Sequence, residues 1–520
     1  MSMHTTFASA SQATETDVAM PEIGETHSLA GLAASVFSFP VMCVSLVTVL
    51  IFRFSVKKFA EPDIWWHLRN AQYLFAHHSI PRVDIYSFGA AGSFWMNHQW
   101  LSEIPYYLAF RTFGLHGILA VYLSALVLIY AAVYYLACRS GADYKNAVVL
   151  TALAVFFGTV SIGPRTLLFG WLCMVGLLVV LDYFRRSGKG LWLLPPLFAL
   201  WINFHGSWVF GIAVLVFIIV SGLVEGEWGL VTAHRWSHNQ LTKLLMAFVA
   251  CVAALFVNPY GYRLVIYPFN LTSNQPSLMK YLTEWQSVNI SELMGKVAVV
   301  VLFALLGAAC FSRRRWRLDE VLLLSFALWF GLSHWRFLFF LGLIVPSILG
   351  PRLKLFLSYD PERDKPWLNA GILVIVGASV LYFFPSNIKL QSQVNDESPA
   401  AAITFMQQNH ISGNVFNFYE WGGYMIWAAP EIRPFIDGRA DIFGMNGTFD
   451  EYHDATILKG SFETLDKYKV DYVLFNPGTP LAYLLDHSPA WRKIYSDKLA
   501  VLYQRVPGTS FTVQLPTFSN

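Results

Sequence analysis

Eleven apolar runs punctuate the first three-quarters of the chain, near residues 31–52, 115–138, 146–162, 166–184, 191–204, 208–224, 244–257, 297–311, 318–333, 337–350 and 368–384. The first, GLAASVFSFPVMCVSLVTVLIF, holds no charged residue. A bilayer-spanning helix needs about 20 apolar residues, so the shorter runs predict soft boundaries or re-entrant segments. The first two runs are separated by a polar stretch, 53–114, that predicts interfacial helices at 62–78 and 98–112 joined by PRVDIYSFGAAGSFWMNH. A connection this long in a compact domain is usually functional. Past residue 385 the pattern changes. Ser398-Pro399 predicts a capped helix start with proline at the first helical position. The β-type runs NVFNF, RPFI, VDYVLF, KIYS and AVLYQ alternate with predicted helices near 421–428 and 461–469. The expectation is a polytopic α-helical membrane domain over 29–386 followed by a soluble α/β domain over 387–520. Residues 1–28, acidic, Ser/Thr/Ala-rich and without Lys or Arg, predict a disordered tail rather than a signal peptide.

Composition agrees: 55% of the 520 residues are hydrophobic and only 13% charged, about half the charge of an ordinary soluble domain. A net charge of +3 gives no case for nucleic acid. The cysteines, Cys43, Cys138, Cys173, Cys251 and Cys310, lie in or beside apolar runs without metal-type spacing, and are read as unpaired packing residues.

Charge then sets direction. The loops at 139–145, 185–190, 225–243, 312–317 and 351–366 together carry 15 Lys or Arg, whereas the opposite short loops carry only Arg165, Arg263, Lys280, Lys296 and Arg336. The positive-inside rule makes the first set cytoplasmic. Arg53, Lys57 and Lys58, just after the first run, argue the other way, but the later loops are consistent. The expected protein is multi-pass in the inner membrane, with its amino terminus cytoplasmic and residues 387–520 periplasmic. Asp63, His67, Asn97, His98, Glu103, Arg165, His205, the Asn258-Pro-Tyr-Gly turn, Glu284 and Arg336 then share the outer face. So many titratable or hydrogen-bonding groups on one side predict an active site there.

Within Glu61-Pro-Asp-Ile-Trp-Trp-His67, Pro62 suits a first helical turn, Asp63 and His67 fall on one helical face, and Trp65 and Trp66 suit the headgroup zone. An acid held at the lipid boundary can meet a lipid-linked substrate, and a cavity with Asp63 at its wall is expected between this loop and the outer ends of the spans. The plainer reading is an N-terminal helix acid favoured by the macrodipole. Arg165 and Arg336 suit phosphate oxygens through their planar forks, or else only snorkel. His205 is either a third phosphate contact or an ordinary interfacial histidine. His67 and His98 are either packing residues or part of a divalent-metal site. Glu103 and Glu284 are second acids or structural anchors, and Glu61 supports a cap. Asp437, Arg439 and Asp441 of Asp437-Gly-Arg-Ala-Asp441 follow a β-type run and form a turn network or bind an acceptor.

The runs PDIWWHLRNAQYL, IPRVDIYSF, WMNHQWLSE, NPYG, WGGYMIW and DGRAD, in this layout, resemble the GT-C class of integral-membrane glycosyltransferases. The resemblance implies a sugar donor carried on polyprenyl phosphate, a functional acid in the first outer loop, and transfer to an extracytoplasmic hydroxyl on glycan, lipid or protein. It makes Asp63 the candidate general base, with Glu103 a second catalytic acid. The class often shows Asp-x-Asp or adjacent acids; here the motif is Glu-x-Asp, which leaves a metal requirement open. Two competing expectations are a non-catalytic scaffold for envelope polysaccharide assembly and a transporter. The transporter is disfavoured because the ionisable residues gather at the outer ends of the spans rather than at mid-membrane.

Overall fold

A computed structural model describes residues 35–274 and 281–508. The tail over 1–28, the start of the first apolar run and Lys280 lie outside the described residues.

Every apolar run forms a helix. They are Phe39–Lys57, Leu115–Arg139, Tyr144–Gly158, Leu167–Ser187, Leu194–Phe204, Trp208–Ser221, His238–Ala254, Leu293–Phe311, Leu318–Ser333, Leu338–Leu349 and Pro366–Tyr382. By length and composition Phe39–Lys57, Leu115–Arg139, Leu167–Ser187, Leu293–Phe311 and the continuous stretch Trp335–Arg352 can each cross a membrane alone. Pro366–Tyr382 is followed, across a 60° bend, by the polar helix Asn387–Glu397, and shorter apolar helices complete the bundle. The helix Phe39–Lys57 carries Pro40 in its opening turn, where a missing N–H costs nothing. Leu338–Leu349 runs through the centre of the bundle, almost wholly buried, and Trp171 stacks on Phe339 at 5.0 Å.

The basic loops gather at one end. Strand β1 (Gly226–Trp228) pairs antiparallel with β2 (Val231–Ala233), and β2 pairs parallel with β3 (Trp316–Arg317), tying loop 225–243 to loop 312–317. Arg185 meets Asp319 at 2.7 Å, Arg352 meets Glu320 at 2.6 Å, and Lys145 Nζ donates to the Leu357 carbonyl at 2.8 Å. Each bond links a different pair of elements, so loops far apart in sequence share one face.

At the opposite end sits a mixed sheet of β4 (Val415–Asn417), β5 (Tyr472–Phe475), β6 (Trp491–Ser496) and β7 (Val501–Arg505), in the order β4-β5-β7-β6. Only β4 and β5 run parallel. RPFI, expected as a strand, contributes a single bridge between Pro434 and Val415. The Asn417 side chain supplies the missing ladder: its Oδ1 accepts from the Phe435 and Ile436 amides, and its Nδ2 donates to the Ile436 carbonyl at 2.9 Å. Pro399 caps the helix Ala400–Gln408 instead of occupying its first turn. The preceding helix, Asn387–Glu397, buries only Leu390 and Val394, too few apolar positions to give a readable pattern.

The sheet domain has a core of its own, in which Ile403, Met406, Trp421, Met425, Leu474 and Leu502 pack together, and it shares a second one with the segment 53–114. Trp66, Ala90 and Trp95 of the first outer loop pack in one cluster with Phe416, Phe435, Ile436 and Ile442. Apolar surface on both pieces is removed from water only when they dock, which fixes one against the other.

Candidate functional site

The site begins at the helix Ile64–His77, with Asp63 as its N-cap residue. Pro62 therefore lies one residue outside the helix rather than in its first turn. Trp65 and Trp66 are buried, not at the headgroups: Trp65 meets Tyr424 edge-on at 5.3 Å, and Trp66 Nε1 donates to Asp63 Oδ1 at 3.1 Å. The rings that suggested an interfacial belt are covered by the carboxy-terminal domain. Two of that domain's glycines permit the approach. A Cβ on Gly438 would collide with Asp63 Oδ1, and one on Gly423 would come 2.7 Å from the Pro62 carbonyl oxygen. Asp63 is thus roofed by Gly438 on its Oδ1 side.

Beside it runs an alternating row of charge. Arg165 Nε lies 2.9 Å from Glu61, Arg165 Nη1 donates to Glu284 at 2.5 Å, and Arg336 approaches the other Glu284 oxygen at 3.8 Å while stacking over Trp285. The Arg165 fork is occupied by two carboxylates, whereas Arg336 is held only loosely. Burial and the neighbouring Glu61 push the Asp63 carboxyl up to about 7 against the pull of Arg165. Burial raises Glu284 as well, but Arg165 and Arg336 outweigh it and hold that acid below its ordinary range. The two acids are driven apart: Asp63 is poised near neutrality and Glu284 stays ionised.

Glu103 is 1% exposed, and its oxygens are already engaged. Asn97 Nδ2 donates to both, Asn70 Nδ2 to one at 3.2 Å, and His67 Nδ1 lies 2.9 Å away. A carboxylate so enclosed meets no substrate, so the expectation of a second catalytic acid is corrected to a positioning group. It braces His67, whose ring lies tilted against Trp66 with centres 3.5 Å apart, and Trp66 in turn holds Asp63.

The histidines come together without forming a metal site. His98 lies 6.4 Å from His205 and 4.9 Å from Tyr267, ring centre to ring centre. Burial drives His98 down to about 4 and His205 well below its usual value, so each is neutral near pH 7. His205 Nδ1 already accepts from the Ser207 amide at 3.0 Å. A neutral imidazole offers a phosphate one hydrogen bond and no charge. Among the described residues no three His, Cys, Asp or Glu side chains converge in a way that would hold a metal ion. Glu61, the acid nearest Asp63 in sequence, is committed to Arg165.

Asp437 and Arg439 are fully buried, and Arg439 Nη2 pairs with both Asp437 at 2.6 Å and Asp84 at 2.8 Å, its plane over Tyr86 and Trp95. With no exposure they cannot touch an acceptor; the expectation of acceptor binding is corrected to a clamp between the domain and the first outer loop. Asp441 stands apart, accepting from the Tyr267 hydroxyl at 2.5 Å, with burial raising it to about 6. The Asn258-Pro-Tyr-Gly turn is closed by its own Asn258, and Tyr260 Oη accepts from the Asn97 amide at 3.1 Å.

Sequence reasoning missed Trp66 as a ligand of Asp63, Asp84 as the partner of Arg439, and Gly438 as the roof. Asp84 lies inside IPRVDIYSF, where a lone acid amid apolar and aromatic residues was the available signal. No sequence signal marks Gly438, because close approach is a property of the docked pair.

Fold and site together define a polytopic helical membrane protein whose α/β domain closes over the long segment 53–114 between the first two membrane helices. The oligosaccharyltransferase of Archaeoglobus fulgidus, tethered through a disulfide bond to an acceptor peptide containing the NVT sequon, has a similar structure at 12% identity and a TM-score of 0.52, over 85% of this chain and 69% of that one. The apo form of that enzyme aligns with a TM-score of 0.46 at 12% identity, over 83% and 69%. At this identity the likeness speaks for the fold. No protein-family model and no curated protein matches the sequence.

Proposed function

We propose that the protein is a membrane glycosyltransferase that moves a sugar from a polyprenyl-phosphate-linked donor to an extracytoplasmic hydroxyl of a glycan, lipid or protein. The observation that carries the proposal is Asp63: a carboxyl poised at about 7, fixed by Trp66 and Gly438, beside the Glu61–Arg165–Glu284–Arg336 row. A general base works best with a pKa near the operating pH. With Oδ1 held by Trp66, Oδ2 is left to take the acceptor proton. The acceptor oxygen then attacks the anomeric carbon, the bond from that carbon to the phosphate oxygen breaks, and the leaving phosphate takes the electron pair. A single displacement of this kind inverts the anomeric centre. Arg336 receives the developing phosphate charge, and its weak hold on Glu284 allows it to turn. Arg165 reaches the phosphate only by giving up one of its carboxylates, and His205 adds a neutral hydrogen bond. The site faces the extracytoplasmic side in this reading, with the basic end of the bundle in the cytoplasm. The fold shared with an oligosaccharyltransferase supports the reaction class.

The test is sugar transfer from a lipid-linked donor in proteoliposomes by wild type and Asp63→Asn. The asparagine is nearly isosteric and keeps an acceptor for Trp66 Nε1, so the variant should fold while transfer falls to near background. Wild-type transfer by that variant would remove Asp63 as the base, whereas absence of transfer by the wild-type protein would favour the scaffold.

A further inference from the structure

A cleft of about 440 Å³ lies between the helix Ile64–His77 and the carboxy-terminal domain, clear of the charged row. Arg69, Gln72 and Tyr73 form one wall, Tyr86 another, and Ile426 and Ile432 the apolar part. Its volume falls within the roughly 300–1,000 Å³ of small-molecule sites. We propose that this cleft is an acceptor subsite for an anionic saccharide, one bearing a carboxylate or a phosphate beside its hydroxyls. The proposal rests on the glycosyl-transfer reading for its role, and on the cleft alone for its chemistry.

Three observations select that chemistry. Arg69 donates to Gln72 Oε1 at 2.7 Å, yet among the described residues no carboxylate lies within ion-pair distance of it. A guanidinium at a cleft wall without an acid partner favours an anion, and its fork matches a carboxylate or phosphate edge. Secondly, the Tyr86 hydroxyl is buried with no hydrogen-bond partner, although the cleft reaches its residue. An unmade buried hydrogen bond is costly, and a ligand hydroxyl or anionic oxygen entering the cleft would satisfy it. Thirdly, the Tyr73 and His77 rings lie side by side at the rim, centres 4.2 Å apart and tilted by 38°, and Ile426 and Ile432 give an apolar floor. A sugar ring has one face of C–H groups that lies on such surfaces, while its edge hydroxyls meet planar donors such as Gln72. An acidic peptide would use Arg69 but would leave this combination of stacking surface and planar donor without a purpose.

The cleft also communicates with the proposed base. The far side of Tyr86 carries the Arg439 guanidinium, and Arg439 is the immediate neighbour of Gly438, the roof over Asp63. A ligand seated against Tyr86 therefore touches the same clamp that positions Asp63.

The test uses the full chain in nanodiscs, with binding of trigalacturonate, glucose 6-phosphate, neutral maltotriose and a glutamate-rich tetrapeptide followed by intrinsic tryptophan fluorescence and calorimetry. Trigalacturonate or glucose 6-phosphate should bind at least about tenfold more tightly than maltotriose, and whichever binds better identifies the anionic source. Arg69→Gln should erase the preference at an unchanged melting temperature, and Tyr86→Phe should weaken binding several-fold. Equal affinity for maltotriose, tightest binding of the tetrapeptide, or an unaltered preference in Arg69→Gln would overturn the proposal. Asp63→Asn should bind the anionic saccharide as wild type does. Anionic binding by a wild-type protein that transfers no sugar would therefore sink the transferase reading alone, and no binding by a protein whose transfer is lost in Asp63→Asn would sink the subsite alone.

Discussion

Gly438 lies so close to Asp63 that a methyl group on it would occupy the space of the carboxylate's Oδ1. The two residues belong to different parts of the chain, one opening a helix just after the first span and the other in a turn of the sheet domain. Their contact makes the domain a component of the site, because the acid's surroundings exist only while the domain is docked. The Arg439 clamp to Asp84 and the shared apolar cluster hold it there.

Gly438→Ala should therefore damage function more than stability. The added Cβ must push the turn or the carboxylate aside, and a displacement of about 1 Å at a catalytic group can cost on the order of 10²-fold in rate. Transfer assays alongside thermal unfolding would check this. A fully active alanine variant would show that the contact does not position Asp63.

Transfer should rise with pH through about 7, since Asp63 accepts a proton only when ionised and its carboxyl is poised there. Glu61→Gln removes a negative neighbour that raises the Asp63 pKa and leaves Arg165 less neutralised; both effects favour the ionised form, so the rising limb should move to lower pH. Linkage gives an independent readout. The folded pKa lies above the unfolded value, so the folded state holds this proton more tightly. Its stabilisation is complete below the ordinary value of 3.8 and is lost as pH rises through about 7. Asp63→Asn lacks that titration, and its stability relative to wild type should improve as pH rises from about 4 to about 7, read by thermal shift.

Arg439→Ala should be severely destabilising. It leaves Asp84 and Asp437 buried without their cation, a change that typically costs about 3–5 kcal/mol. Arg439→Lys should not rescue it, because Nε and Nη2 both donate to Asp437 while Nη2 also reaches Asp84. Limited proteolysis should then release the carboxy-terminal domain, residues 387–520, from the membrane domain before the helical bundle unfolds.

Arg336→Lys should lower transfer by roughly 10-fold or more, through loss of the planar fork at the leaving phosphate, while the protein still inserts. Arg336→Ala should fall further. Arg165→Lys should also lose stability, because Arg165 bridges two acids from separate loops. Transfer kinetics with melting temperatures distinguish the two arginines. Wild-type rates in both lysine variants would leave Asp63 without a phosphate partner.

The sequence by itself determined the elements that depend on local periodicity. Each apolar run became a helix, β-type runs at 415–417, 472–475, 491–496 and 501–505 became strands, and the basic loops gathered at one end. Uninterrupted apolarity specifies burial whatever the partner is, and alternation specifies a strand whatever its neighbour. The likeness in fold to an oligosaccharyltransferase, found at 12% identity, accords with the layout of apolar runs followed by an α/β segment. Which polar residues are available for chemistry was decided only by tertiary structure. Glu103 and Glu284 look alike as single acids in outer loops, yet one is enclosed by Asn70, Asn97 and His67, and the other bridges two arginines. Arg439 is attractive in DGRAD until Asp84, more than three hundred positions earlier, closes on it. Desolvation and charge pairing are set by groups distant in sequence, and a pKa or an accessible guanidinium follows from the sum of those contacts rather than from residue type.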